Sequence, residues 1–140
     1  MALLKVSKKE DSEEPKTTLT PESIQSKLFY FHDAAHKFHL STTSFAEHKA
    51  LDFLYNELVG VKDEVSEKIQ GYQGKMIGEI KLEAIPEYSN SVSKKLAKEI
   101  MDFAYKLEEF GEEKGYCDIE NIAQSLSGTG AKFNYLLMLS

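Results

Sequence analysis

The chain reads as an all-α protein, a four-helix bundle with one long connection in the middle. Three observations predict it. Apolar residues recur at three- and four-residue steps in several long segments, no stretch alternates as a strand would, and Gly- or Ser-rich breaks separate the segments. At 140 residues, with 41% apolar and 29% charged residues, the chain is large enough to bury one core.

The first 20 residues are polar, with Pro15 and a run of Thr, and read as a flexible tail; the domain spans 21–140. In "TPES", Thr20 caps a helix whose first position is Pro21. Ile24, Leu28, Phe31, Ala35 and Phe38 then give one apolar face to about His39, where "STTS" interrupts. A second helix starts near Ser44 and runs to "QGYQG", with Leu51, Leu54, Tyr55, Leu58, Val61, Val65, Ile69 and Tyr72 facing the core. "KMIGEIKLEAIPEYSN" is a connecting segment with room for one short helix. Ser91 opens a third helix with Val92, Leu96, Ile100, Phe103, Leu107 and Phe110 on one face, ended by "GEEKGY". A fourth segment, 118–140, carries Ile119, Ile122, Ala123 and Leu126. Two glycines in one helix cost roughly 2 kcal/mol against Ala, which predicts a kink or break near Gly128.

Composition excludes some functions. Net charge is −6, and all 17 basic residues are Lys, so the bidentate Arg that reads phosphate and guanine is missing. The N-terminal tail balances its charges, whereas a DNA-binding arm carries net positive charge. Nucleic acid is therefore not an expected partner. No run of about 18 apolar residues exists to span a membrane, and the short apolar start lacks the length of a secretory signal; a cytoplasmic location is expected. Lone Cys117 cannot form an internal disulfide.

The second helix carries the chemistry. On a helix turning ~100° per residue, His48, Asp52, Asp63 and Glu67 share a sector ~100° wide, away from the core face. His48 and Asp52 are one turn apart and can reach one ion; Asp63 and Glu67 can do the same. The two pairs lie roughly 22 Å apart along the axis, so one ion cannot touch both. A second copy running antiparallel brings His48 and Asp52 of one subunit against Asp63 and Glu67 of the other, twice per two-fold dimer. Val59 lies inside this sector, Phe53 near its border and Ala50 further round, which suggests a face covered by another chain. Carboxylates with imidazole suit Fe(II), Mn(II) or Zn(II). The absence of any Glu-x-x-His pair speaks against a di-iron site within one chain. His32, His36 and His39 line one strip of the first helix; His32 and His36 read as boundary residues, with Asp33 a neighbour able to orient a ring.

This pattern resembles the Dps-like mini-ferritins, in which a His ending the first helix precedes His, then Asp at +4, Asp at +15 and Glu at +19 in the second. Those offsets from His48 fall on Asp52, Asp63 and Glu67, and His39 takes the first-helix position. The stretch "HLSTTSFAEHKALDFLYNELVGVKDEVSEKIQGYQGK" also resembles small uncharacterised ferritin-like proteins of bacteriophages and bacteria. The resemblance implies a ferritin-like bundle and a homo-oligomer of at least a two-fold dimer, with a dodecamer as the family's closed form. It also implies a ferroxidase with His48, Asp52, Asp63 and Glu67 catalytic, and with His39 joining them as metal ligands. Iron would be oxidised by peroxide or oxygen. The alternative it implies is a structural or cargo component of a phage particle, virion-associated, with the metal stapling the oligomer. Leu40 stands where the family usually has Trp, and the tail lacks the excess Lys or Arg of the DNA-binding members.

Overall fold

The computed structural model describes residues 18–139, so residues 1–17 of the expected tail lie outside the described residues. Four helices follow in order: α1 Pro21–Ser41, α2 Phe45–Gln73, α3 Val92–Lys114 and α4 Cys117–Met138. There is no strand among the described residues. This is the all-α four-helix bundle that the periodicity predicts.

Local chemistry sets the ends. Thr20 caps α1 through a reciprocal box: its Oγ1 accepts from Ser23 N at 3.1 Å, and Ser23 Oγ accepts from Thr20 N at 2.9 Å, with Pro21 next. Ser44 caps α2, accepting from Glu47 N at 3.1 Å. Gly74 and Gly115 stop α2 and α3 in the left-handed region, at φ 72° and 75°, where a Cβ would be strained. Ser91 precedes α3 as expected, though its side chain makes no capping bond.

The connection 74–91 contains no helix. It runs extended along α1, tied to it by side chains of α1 that bond two of its backbone groups and one of its carboxylates. Gly78 N donates to Glu22 at 3.0 Å, Ser26 Oγ donates to Lys81 O, and Lys27 pairs with Glu83 at 3.0 Å. With those bonds spent on α1, and with Pro86 barred from a helix interior, a helical turn has no advantage here. The crossover returns the chain to the α1–α2 corner, where Tyr88 OH lies 3.2 Å from Thr42 Oγ1. Thus α3 runs parallel to α2, and α4 comes back antiparallel to α3. At the opposite end Lys68 pairs with Asp118, and Tyr72 stacks on Tyr116 with ring centroids 4.4 Å apart and planes at 7°.

The apolar faces of the four helices meet in one core. Ile24, Leu28, Phe31, Ala35 and Phe38 are buried from α1, and Leu51, Leu54, Leu58, Val65 and Ile69 from α2. On α3, Leu96 through Phe110 are buried at the predicted positions, while Val92 packs against the core from its edge. Tyr72 departs from expectation at 42% exposed, because it sits in the last turn of α2, level with the start of α4. There its hydroxyl accepts from Asp118 N at 3.2 Å, meeting one of the orphan donors at the α4 N-terminus.

The expected break in α4 does not occur; the helix is continuous through Gly128 and Gly130. Gly130 is buried against α3, where a Cβ would stand 2.8 Å from Met101 Cγ and 3.2 Å from Ile100 Cγ2. Close helix approach offsets the propensity cost at that position. A Cβ at Gly128 would meet nothing within 4 Å. Gly128→Ala should therefore stabilise the bundle by about 0.5–1 kcal/mol in denaturant unfolding, whereas Gly130→Ala should destabilise it by about 1 kcal/mol or more through overpacking. Equal effects from the two would refute the close-packing account.

Candidate metal centre

Two helix ends build the centre. His39 lies in the last turn of α1 and His48 in the first turns of α2, brought together by the corner at 42–44. Their rings stack with centroids 3.8 Å apart and planes at 21°. Each ring bonds the other's backbone: His39 Nδ1 lies 3.0 Å from His48 O, and His48 Nδ1 lies 2.9 Å from His39 O. A carbonyl oxygen only accepts, so Nδ1 carries the proton in both rings. That leaves Nε2 as the lone-pair nitrogen in each neutral imidazole, which is how a metal-ligating His is ordinarily oriented. The His39 carbonyl is also one of the orphan acceptors at a helix C-terminus, so the bond serves the fold as well.

Asp52 follows His48 by one turn and is half-buried, its Oδ1 3.3 Å from Asn56 Nδ2. Asp63 and Glu67 are exposed further along α2. Within the chain, then, His39, His48 and Asp52 share one end of α2, and Asp63 and Glu67 are not brought to them. Among the described residues no group of three His, Cys, Asp or Glu side chains is arranged to hold a metal ion.

The outer face of α2 is less apolar than its sequence suggests. Ala50 is buried, and Phe53 packs on the core with Lys132 of α4 4.8 Å above its ring, so the chain itself covers both. Val59 is 42% exposed, joined by Phe45 at 76% beside His48, with ring centroids 6.4 Å apart.

The histidine strip on α1 continues the stack. Tyr55, expected in the core, is half-buried and lies flat on His36, with centroids 4.4 Å apart and planes at 19°, and 5.1 Å from His39. His32 is half-buried, its Nδ1 3.3 Å from Asp33 Oδ1. Burial, then the nearby Lys62 charge, hold its pKa below the usual histidine value, against the opposing pull of Asp33.

Sequence reasoning missed Glu47. It is buried at the α1–α2 corner and accepts from Thr42 Oγ1 at 2.6 Å, from Tyr88 OH and from Ser93 Oγ. The signal was present: "SFAE" at 44–47 has the Ser-x-x-Glu spacing of a capping box. The Ser half forms, but the carboxylate turns inward, and Ser44 N goes to Thr42 Oγ1 at 3.1 Å instead. Burial, with the hydrogen bond to Glu47 second, raises the Tyr88 pKa above the ordinary tyrosine value.

A family model described as a family of unknown function (DUF5856) matches residues 39–137. The chain belongs to that family. The DUF5856 match starts at His39 and takes in α2, the crossover, α3 and nearly all of α4. Over 46 residues the DUF5856 chain is 44% identical to the "Uncharacterized 14.6 kDa protein in mobD-ri intergenic region" of Enterobacteria phage T4. The aligned stretch covers 33% of each protein, so the chain spans about a third of the length of that curated relative. No solved structure matches. Among the described residues no helix is long and apolar enough to cross a membrane.

Glu47→Ala leaves three hydroxyls without their shared acceptor and should cost roughly 3 kcal/mol in denaturant unfolding, with Glu47→Gln milder. A loss below about 0.5 kcal/mol would remove Glu47 as the corner's fastening. A raised folded-state pKa at Tyr88 means its contribution is present below the ordinary tyrosine range and lost as pH rises through the folded value. Tyr88→Phe should lack that alkaline loss in thermal melts.

Proposed function

We propose that the protein binds and oxidises Fe(II) at a site shared between two antiparallel copies of α2. His39, His48 and Asp52 come from one subunit, and Asp63 and Glu67 from the other. The observation that supports this reading is the reciprocal bonding of His39 and His48, which leaves Nε2 as the lone-pair nitrogen on both rings, with Asp52 one turn further along α2 from His48. The +4, +15 and +19 spacing from His48, shared with the Dps-like mini-ferritins, supports it further, as does a bundle with one long crossover, the ferritin-like connectivity. Val59 and Phe45 supply apolar area on the outer face of the corner and α2.

The ring geometry favours two ions at each shared site. An imidazole lone pair lies in the ring plane, and planes 21° apart at 3.8 Å do not converge within the ~2.1 Å of a metal–nitrogen bond. Each imidazole therefore serves its own ion, with Asp52, Asp63 and Glu67 completing the set. Two Fe(II) ions each give one electron to a peroxide. Its O–O bond breaks, and with two protons it leaves as two waters. Carboxylates offset the rise from +2 to +3 on each iron. Zn(II) or Mn(II) would fit the same ligands without that turnover.

A second reading, compatible with a relative encoded by phage T4, is a structural or cargo component of a phage particle whose metal site staples the dimer. Anaerobic Fe(II) titration followed by peroxide separates the two. Stoichiometric binding with rapid ferric absorbance, lost in Asp63→Ala with helicity retained, is the expected result. Metal-dependent dimerisation without accelerated oxidation would favour the staple. Mixing a His48→Ala/Asp52→Ala chain with an Asp63→Ala/Glu67→Ala chain tests sharing directly. The mixed dimer has one intact site and should recover activity that neither parent shows; no recovery would overturn the shared site.

A further inference from the structure

α1 holds a second histidine pair that the shared site does not use. His32 and His36 are one helical turn apart, so their rings rise from the same face, the spacing at which paired histidines chelate zinc on other helices. The ring centroids are 6.4 Å apart with planes at 45°. These rings are tilted rather than stacked, and the exposed His36 ring is able to turn its lone pair toward that of His32.

Each ring is prepared for this. His32 is held in place, its side chain only 18% exposed, and its Nδ1 faces Asp33 Oδ1 at 3.3 Å. A carboxylate accepts, so the proton lies on Nδ1 and the lone pair on Nε2, and the partner raises the basicity of the ligating nitrogen. Burial, then the Lys62 charge, lower its pKa and so disfavour the protonated ring, which could not ligate a metal. His36 is exposed, with one ring face laid on Tyr55 and its edge open to solvent.

We propose that His32 and His36 form a two-imidazole chelate for a divalent transition cation of the Cu(II), Ni(II) or Zn(II) class, using ligands other than His39 and His48, although the His36 ring adjoins that of His39 at 6.2 Å. Imidazole selects such cations over Mg(II) and Ca(II), which take oxygen ligands. With metal–nitrogen bonds of ~2.1 Å, bidentate binding draws the two centroids to roughly 5 Å. Rotation of the exposed His36 ring supplies the movement, and water fills the remaining positions. Lys62 opposes the cation's charge, and Asp33 offsets it.

Cu(II) is the probe. The full-length protein is titrated with Cu(II), affinity is followed by calorimetry and nitrogen coordination by electron paramagnetic resonance, and Fe(II) oxidation is measured in parallel. His36→Gln and His32→Gln should each weaken one Cu(II) equivalent by roughly 10- to 100-fold or more, since losing a ligand should cost at least what losing an outer partner costs. His39→Gln and His48→Gln should leave that equivalent in place, and the His36 variant should oxidise Fe(II) as the parent does. Unchanged copper binding in both His32→Gln and His36→Gln overturns the site, as does copper binding that follows His39 and His48 alone. Copper held by His32 and His36 in a protein that oxidises no iron sustains this site while the shared-site reading fails.

Discussion

One buried carboxylate fastens three parts of the chain together at the α1–α2 corner. Taking a carboxylate out of water is costly unless its lone pairs are met by donors. Glu47 meets that condition with hydroxyls from the corner, the crossover and the first turns of α3: Thr42, Tyr88 and Ser93. The bond to Tyr88 ends the crossover at the corner, and the bond to Ser93 starts α3 beside the N-terminus of α2. With its earlier residues tied to Glu22, Ser26 and Lys27, the crossover lies along α1. The parallel course of α2 and α3 follows from where Glu47 places that end.

The same corner sets the histidine geometry. Three residues between α1 and α2 leave little freedom, and Thr42 and Ser44 are both committed, one to Glu47 and the other to the α2 N-terminus. His39 and His48 then face each other across the corner at stacking distance, each ring closing on the other's carbonyl. Fold and chemistry use the same bonds here. The Nδ1 donors satisfy backbone groups at a helix junction, and the consequence is two Nε2 lone pairs with fixed tautomers. The proposed site thus rests on a structural element that the fold needs in any case.

Along α1 the imidazoles and Tyr55 make a continuous row from His32 to His48. Tyr55 lies at the margin of the core face of α2, and its ring spans the seam between α1 and α2 rather than entering the core. Phe53 shows the opposite case. Its position suggested a surface awaiting another chain, yet α4 of the same chain covers it through Lys132. The face left for a partner is correspondingly narrower, centred on Val59 and Phe45.

The sequence by itself determined the four helices, their caps and most of their buried faces, because these depend on residues within a few positions of one another. Thr20 and Pro21, Ser44, Gly74 and Gly115 act locally, and the 3.6-residue period assigns Leu28 or Leu58 to the core wherever the helices pack. It also placed His39, His48 and Asp52 at one end of α2. Only the tertiary structure decided what depends on contacts between distant segments. Gly130 reads as a helix breaker until α3 presses against it, and 74–91 reads as room for a helix until α1 takes its backbone bonds. Glu47 stands at capping-box spacing from Ser44, but Tyr88 and Ser93, more than 40 residues away, supply donors that turn it inward. The stacking of His39 on His48 belongs to the same class. Spacing can put two imidazoles near one corner, but the protonated nitrogen is fixed by which carbonyl each ring meets, and that is set by the fold.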